Sequence, residues 1–299
     1  LTGRGVGLVL SGGGARGFAH IGVVRALREA GVPVDVVGGT SMGAIMAAGI
    51  AAGWSQEEMI ERFGRAFVES NPLADFTLPV VSLVAGREVG RRLRAEFGAI
   101  AIEDLPLPFF CCSTNLTAGR VEVHDAGPLW QALRASIAIP GVLPPVHSRG
   151  AVLVDGGTMN NLPVDVMRGY GRGPVIGVDV GADRAFATDL DEAELPSLWQ
   201  RLRRRARRPN ILQILWRSGM VGSAQAPAGQ RCNTDLLLRP PLESVGLLDW
   251  RAFQRAVAIG YDATRAALAR EPWNAAASAS AATNGTLRSS TSPSASGAR

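Results

Sequence analysis

The chain has 299 residues, 46% of them hydrophobic, so it has the composition of an ordinary globular protein and is long enough for a large buried core. Its apolar, uncharged stretch at residues 42–54 is shorter than the ~20 residues of a membrane-spanning helix, so we expect no transmembrane segment. The net charge is +5, and every basic residue is arginine. The cysteines, Cys111, Cys112 and Cys232, lack the spacing of metal ligands. This cysteine pattern favours reduced thiols and a cytoplasmic location.

The first fifty residues predict a strand, a loop, a helix and a second strand that leads into a tight turn and another helix. Residues 6–10 (VGLVL) form a continuous apolar run, typical of a strand buried on both faces of a parallel sheet. A glycine-rich loop at residues 12–17 then opens a helix over residues 18–30. The next strand, from Val34, ends in the turn at residues 39–43. This βαβα order predicts a right-handed parallel crossover.

Further elements follow at helical and strand spacing. Ser55 is placed to cap a helix that carries Met59, Phe63 and Phe67 at intervals of four residues, as expected for core contacts. Other helices are predicted at residues 87–97, 128–137, from 161 onward, 211–221 and 249–270. Other strands are predicted at residues 109–114, 120–124, 151–154, 174–180 and, as an edge strand, 236–238.

The chain becomes less regular after Gly181. An arginine-rich run at residues 201–208 (RLRRRARR) indicates a solvated helix face or loop, with attraction to an anionic membrane surface as the alternative. No nucleic-acid-binding motif accompanies this run, so we expect no nucleic acid partner. Residues 273–299 are mostly Ala, Ser, Thr and Gly, which predicts a disordered tail. Because strand-like sequence begins almost at Leu1, we expect a missing N-terminal region.

The turn at residues 39–43 has the sequence Gly-Thr-Ser-Met-Gly, a G-x-S-x-G pattern between a strand and a helix. Such an elbow holds its serine, here Ser41, in a tight backbone conformation with the hydroxyl at the start of the helix. The helix N-terminus adds partial positive charge near an oxyanion. The alternative is an ordinary glycine-rich turn in which Ser41 caps the helix.

Two interpretations compete for the glycine-rich loop. Residues 12–17 fit the G-x-G-x-x-G fingerprint of dinucleotide-binding proteins, with Asp35 near the distance expected of a ribose-binding acid, although Asp35 lies inside the predicted strand. A Walker phosphate loop is excluded because it requires a lysine. The other interpretation is an oxyanion hole, because consecutive glycines let backbone N–H groups converge on one point. The expected position beside the Ser41 elbow favours this second interpretation.

A nucleophilic serine needs a base, and the sequence offers two kinds. The chain has three histidines, and none of them follows Asp155 as the order of an α/β-hydrolase triad requires. His147 is the best histidine candidate; His20 and His124 are more consistent with structural roles. Asp155 is the better candidate because it ends a short apolar strand and precedes two glycines. Partial burial would raise its pKa and suit it to proton transfer, although an Asp-Gly turn explains the same residues.

At this point the residues resemble a known family. Residues 12–17 (GGGARG), 39–43 (GTSMG) and 155–157 (DGG) are similar in order and spacing to the patatin-like phospholipases. Within that family, residues 129–146 and 153–166 look most like the neuropathy-target-esterase, or lysophospholipase, branch. The resemblance covers roughly residues 6–181.

The resemblance implies a three-layer α/β/α fold with a mainly parallel central sheet, the glycine-rich loop and nucleophile elbow lying at the carboxyl ends of the strands. It implies one domain over residues 1–272, with a core at 5–181 and a more variable, mostly helical part at 182–272. The implied activity is hydrolysis of phospholipid or lysophospholipid esters through an acyl-enzyme, without metal or other cofactor. The implied catalytic residues are Ser41 and Asp155, and the implied oxyanion hole comprises Gly12, Gly13, Gly14, Arg16 and Met42.

Two other classes of function remain as alternatives. A dinucleotide-binding protein would place Asp35 at the ribose of its ligand. A non-catalytic membrane-associated module would bind anionic lipid through residues 201–208, and its binding would weaken steeply with salt. If the protein is a hydrolase, we expect a phospholipid or lysophospholipid substrate, and peripheral contact with a membrane is compatible with that function.

Overall fold

The computed structural model of the chain describes residues 5–69, 73–171, 173–181, 211–224 and 233–270. The predictions for residues 201–208, Cys232 and the tail at 273–299 lie outside the described residues. The strands are β1 (Val6–Leu10), β2 (Val34–Thr40), β3 (Phe109–Asn115), β4 (Arg120–His124), β5 (Val146–Ser148), β6 (Ala151–Asp155), β7 (Val175–Val178) and β8 (Leu236–Leu238). The helices are α1 (Ala19–Glu29), α2 (Met42–Ala51), α3 (Gln56–Phe63), α4 (Arg87–Phe97), α5 (Leu129–Ser136), α6 (Val164–Gly169), α7 (Ile211–Ala224) and α8 (Phe253–Arg270).

The strands of the described residues form one eight-stranded sheet, whose hydrogen-bonded neighbours follow the order β5-β6-β3-β2-β1-β7-β8, with β4 also paired to β3. The five strands β3, β2, β1, β7 and β8 run parallel, and β4, β5 and β6 add antiparallel pairs. The sequence did not predict β5, because its three residues follow two prolines and alternate too briefly to give a pattern.

Strand β3 brings two distant parts of the chain together. Cys111 and Cys112 pair with β2 and with β4, so these two strands lie on opposite sides of β3. The next residues, from Ser113, pair with β4 and with β6, so β6 lies on the same side as β2. Thr40 is opposite Cys112, and Asp155 is opposite Ser113. The ends of β2 and β6 therefore meet head to head along one side of β3.

Two apolar clusters cover the two faces of the sheet. Because side chains alternate along a strand, Leu8 and Leu10 of β1 face one cluster and Val9 faces the other. The larger cluster is built with α1, α2, α4, α5 and α8, and the smaller one with α6. The result is three layers, with one helical layer much thicker than the other.

Most predicted helices appear within one to three residues of their expected bounds. Ser55 and Glu58 form a reciprocal capping box at the start of α3, where each side chain binds the other residue's backbone N–H. Helices α1 and α8 pack at close range where Gly22 and Gly260 lie. A side chain on either glycine would collide with the backbone of the facing helix. Within the described ranges, every helix is too short or too polar to span a membrane.

Candidate active site

Ser41 occupies a sharp bend between β2 and α2. Its backbone has φ 55° and ψ −126°, a conformation that residues other than glycine seldom adopt. A Cβ on Gly39 would lie 2.5 Å from the carbonyl oxygen of Leu10, and a Cβ on Gly43 would lie 2.5 Å from that of Ser11. Both glycines of the G-x-S-x-G pattern are therefore required for α2 to start against β1.

The Ser41 hydroxyl donates a hydrogen bond to Asp155, with 2.7 Å between Oγ and Oδ2. The Asp155 side chain is fully buried, and Ser41 is 3% exposed. The other carboxylate oxygen, Oδ1, accepts a hydrogen bond of 2.8 Å from the Gly157 N–H, which fixes the orientation of the carboxylate. The structure thus brings together the predicted nucleophile and the predicted base, which lie 114 residues apart in the sequence.

The environment of Asp155 favours its protonated form. Burial raises the pKa of this carboxyl group from its usual 3.8 to about 7, and the hydrogen bonds from Ser41 and Gly157 lower it only in part. A carboxylate with a pKa near neutrality is a much stronger base than an exposed aspartate, yet it is ionised in a large fraction of molecules. This environment suits proton transfer from a hydroxyl group in direct contact.

Ser136 supports the elbow from α5, a role that the sequence did not reveal. Its hydroxyl oxygen accepts a hydrogen bond of 2.9 Å from the Ser41 N–H, and the side chain is fully buried. On the other side of the elbow, Thr40 Oγ1 donates to the carbonyl oxygen of Asn160 at 3.0 Å. No spacing rule connects Ser136 to the G-x-S-x-G pattern. The one sequence signal that includes Ser136 is the segment at 129–146, which carries the family resemblance.

The glycine-rich loop lies directly against the elbow. A Cβ on Gly12 would lie 2.9 Å from the Cβ of Ser41, so only glycine allows this approach. The Gly12 N–H donates to the carbonyl oxygen of Asn161 at 3.3 Å, a long hydrogen bond that already uses this amide. Among the described residues, the Gly13 and Gly14 amides have no hydrogen-bond acceptor. Met42 is the first residue of α2, and its N–H lies in the helical turn whose donors have no partner within the helix.

Arg16 connects the loop to the C-terminal part of the chain. Its side chain is 5% exposed, and Nε donates to the carbonyl oxygen of Val245 at 2.8 Å. Next to it, the Ala15 N–H donates to the carbonyl oxygen of Leu247 at 2.8 Å. These contacts clamp the loop in place; a direct contribution of the Arg16 guanidinium to an oxyanion stays a prediction.

An apolar pocket extends from Ser41 between α2, α3, α4 and the segment after α5. Its empty space, including the open mouth and the solvent at that mouth, amounts to about 760 Å³. Almost all lining groups are hydrophobic, and the charged residues at its wall, Arg92 and Glu96, are engaged in ion pairs with Glu88 and Arg62. The lining residues are Gly14, Ser41, Met42, Ile45, Phe63, Ala66, Phe67, Leu73, Val89, Arg92, Leu93, Glu96, Phe97, Ile137, Ile139, Leu143, Leu248 and Trp250.

The model of the patatin-like phospholipase family matches residues 8–168, a range that includes the glycine-rich loop, the elbow and Asp155. The chain belongs to this family. It is 36% identical over 275 residues to lysophospholipase nte1 of Aspergillus fumigatus, covering 87% of this chain and 18% of that protein. It is 36% identical over 273 residues to lysophospholipase NTE1 of Saccharomyces cerevisiae, covering 88% of this chain and 16% of that protein.

The curated relatives are much longer than this chain, which spans less than a fifth of each of those two. Among solved structures, the chain is similar to VipD from Legionella pneumophila, with a TM-score of 0.50 and 16% identity over 89% of this chain and 67% of that one. At this identity the likeness concerns the fold alone. Together with the family match, it confirms the predicted α/β fold class.

Asp35, the acid that a dinucleotide-binding site would need, does not lie next to the glycine-rich loop. Asp35 accepts a hydrogen bond of 2.9 Å from the Gly5 N–H and interrupts the pairing of β1 with β2 at their amino ends. The loop begins at the opposite end of β1, about 16 Å away for five strand residues. The structure therefore contradicts the interpretation that Asp35 binds a ribose next to Gly12.

Among the described residues, no histidine forms a hydrogen bond with the Ser41 hydroxyl, which is bonded to Asp155. His147 is exposed in β5. His20 is fully buried below the loop, where its Nε2 contacts the carbonyl oxygen of Ser11 at 2.9 Å, and burial lowers its pKa to about 4. His124 Nε2 contacts Ser113 Oγ at 2.8 Å. In the part of the chain that the structure describes, no three His, Cys, Asp or Glu side chains cluster as metal ligands would.

Proposed function

We propose that the chain hydrolyses carboxylic esters of lysophospholipids or phospholipids, with Ser41 as nucleophile and Asp155 as general base. The observation that carries this proposal is the 2.7 Å hydrogen bond between Ser41 and a fully buried Asp155 at the end of an apolar pocket. Family membership supports this substrate class, and so does the similarity to the two fungal proteins named lysophospholipases.

The acylation step uses groups that are already in contact. As Ser41 Oγ attacks the ester carbonyl carbon, Asp155 accepts the hydroxyl proton and the carbonyl oxygen becomes an oxyanion. The Gly13, Gly14 and Met42 amides are the proposed donors to this oxyanion, and one such donor typically stabilises a transition state by about 3 kcal/mol. Collapse of the tetrahedral intermediate expels the alcohol, which takes the proton from Asp155 and leaves the acyl group on Ser41.

The deacylation step repeats the same chemistry with water. Asp155 accepts a proton from the attacking water, the tetrahedral intermediate forms again, and Ser41 leaves with that proton while the fatty acid is released. The apolar pocket holds the acyl chain during both steps, and its walls of aliphatic and aromatic side chains exclude headgroups from that position.

A fluorophosphonate probe tests the nucleophile and the base in one experiment. Intact-mass measurement should show one adduct on the wild type, none on Ser41→Ala, and strongly slowed labelling of Asp155→Asn. His147→Ala is the matched control, because it removes the alternative base and should label at the wild-type rate. Hydrolysis of lysophosphatidylcholine should follow the same order of variants.

The pH dependence gives a second test of the base. Because Asp155 must be ionised to accept a proton, kcat/KM should fall as the pH drops through about 7. Normal labelling of Asp155→Asn with loss of labelling in His147→Ala would contradict the proposed dyad. No labelling of a folded wild type would contradict the proposed hydrolase.

A further inference from the structure

Residues 75–85 form a short hairpin beside the pocket, which we call the apolar hairpin. Its two arms are joined by the antiparallel bridge between Phe76 and Val84. The Ala85 N–H donates to the carbonyl oxygen of Asp75 at 2.8 Å, and the Thr77 N–H donates to that of Leu83 at 3.1 Å. These bonds hold the residues between Thr77 and Leu83 as a defined tip.

The tip presents large apolar side chains to solvent. Phe76 is 70% exposed, Leu78 82%, Val80 88% and Val81 62%, and no other large hydrophobic residue of the described chain is as exposed as any of these. No charged residue occurs from 76 to 86. Single exposed hydrophobic residues are common on protein surfaces, but four within six residues form a patch that indicates an interaction site.

The apolar hairpin is attached to the wall of the pocket. The Leu83 and Val84 N–H groups donate to the carbonyl oxygens of Gly141 and Val142, at 2.9 and 3.0 Å. The next residue, Leu143, lines the pocket. The hairpin is therefore hydrogen-bonded to the segment that contributes Leu143 to the pocket wall, and these bonds fix its position relative to that wall.

A second exposed apolar element meets the same segment. Leu215 of α7 lies against Gly141, and two exposed residues of that helix are Ile211, at 60%, and Ile214, at 45%. Immediately after the hairpin, Arg87 is exposed at the start of α4 and makes no ion pair among the described residues. An uncharged apolar tip next to an unpaired cation is complementary to a lipid surface with anionic headgroups.

The shape of the hairpin favours a bilayer over a protein partner. Its apolar side chains stand on a convex tip, each largely surrounded by solvent, whereas protein partners usually bury apolar groups in complementary pockets. A fluid acyl-chain region surrounds such a tip without needing a matching cavity.

We propose that the apolar hairpin inserts into an anionic lipid surface and holds the mouth of the pocket against it. This inference rests on the proposed lipid hydrolase function, because it names the surface from which the substrate enters. A lysophospholipid or phospholipid at that surface could then move its acyl chain into the pocket without crossing bulk water.

Vesicle sedimentation tests the docking surface. Vesicles of phosphatidylcholine with phosphatidylglycerol should bind the wild type. The coefficient for partition from solution onto these vesicles should be about tenfold lower, or more, for the double variant Leu78→Ser/Val80→Ser. Val123→Ser is the matched control: Val123 is 38% exposed on β4, and its cross-strand neighbour Cys112 faces the smaller core cluster, away from the pocket. This control should bind like the wild type.

A soluble short-chain ester separates docking from catalysis. Its hydrolysis should be unchanged in the double variant, because Leu78 and Val80 do not line the pocket. A double variant that binds vesicles like the wild type would overturn the docking proposal, and so would a wild type that forms dimers through the hairpin and ignores vesicles. If vesicle binding depends on the hairpin but no variant hydrolyses any ester, the docking surface stands and the proposed hydrolase fails.

A tryptophan probe gives a second measurement that does not depend on removing the hairpin residues. Tryptophan fluorescence of Val80→Trp should shift to shorter wavelength on vesicle addition and be quenched by brominated lipid, whereas that of Val123→Trp should change no more than the wild type. Equal responses of the two variants would also overturn the proposal.

Discussion

Replacing Asp155 with asparagine should abolish esterase activity and at the same time stabilise the protein at alkaline pH. The substitution preserves shape: the asparagine oxygen still accepts from the Gly157 N–H, and its NH2 group donates to Ser41 Oγ. What the variant loses is a carboxyl group whose pKa is about 7 in the folded state and 3.8 in its usual environment. At a pH between these two pKa values, the folded wild type binds one more proton than the unfolded chain. The unfolding free energy of the wild type therefore falls as the pH rises through this range.

The size of the effect follows from the same two values. Each unit of pKa corresponds to about 1.4 kcal/mol, so the unfolding free energy of the wild type should decrease by up to about 4 kcal/mol between about pH 4 and pH 7 relative to Asp155→Asn. Denaturant titrations of both proteins across this range, compared as a difference, cancel the groups that they share. Two results would refute the reasoning that burial raises the pKa of the Asp155 carboxyl group. One is a difference in unfolding free energy between the two proteins that does not change with pH. The other is a variant that is less stable than the wild type at about pH 8.

Three further substitutions probe the site. Ser136→Ala leaves the Ser41 N–H without its acceptor, so we expect a loss of about 1–3 kcal/mol in unfolding free energy and a lower kcat at unchanged KM; a normal kcat would make Ser136 a packing residue only. Gly12→Ala should reduce fluorophosphonate labelling at least about 100-fold, because the new Cβ would press on Ser41; labelling at the wild-type rate would contradict the close approach. Leu93→Trp should fill the pocket and slow long-chain lysophospholipid hydrolysis about tenfold more than short-ester hydrolysis; equal slowing would place the acyl chain elsewhere.

The sequence predicted the elements of the site better than their arrangement. The strand–loop–helix and strand–elbow–helix units follow from local rules, because glycine spacing and apolar runs act over a few residues. Nothing local indicated that β6 runs antiparallel to β3, and that direction is what brings Asp155 to Ser41 from beyond the end of β2. The family resemblance predicted that Ser41 and Asp155 are close to each other. It did not predict the antiparallel strand that brings them together.

Side-chain partners between distant segments were also beyond the reach of sequence patterns. Arg16 was expected near the oxyanion, which stays a prediction, but nothing in the sequence indicated that its Nε donates to the carbonyl oxygen of Val245, 229 residues away. Ser136 ends an ordinary amphipathic helix, and only the three-dimensional packing shows that its hydroxyl meets the Ser41 N–H. Such contacts are decided by tertiary packing, which leaves no periodic pattern in the chain.

The clamp on the glycine-rich loop has a consequence for the order of events during synthesis. The residues that hold the loop, Val245 and Leu247, lie far beyond residue 168, where the match to the family model ends. Because a chain leaves the ribosome from its N-terminus, Ser41 and Asp155 emerge well before the segment that fixes the loop beside them. The loop beside Ser41 would therefore be clamped only after Val245 and Leu247 have been synthesised, so the proposed oxyanion site would form later than the emergence of Ser41 and Asp155.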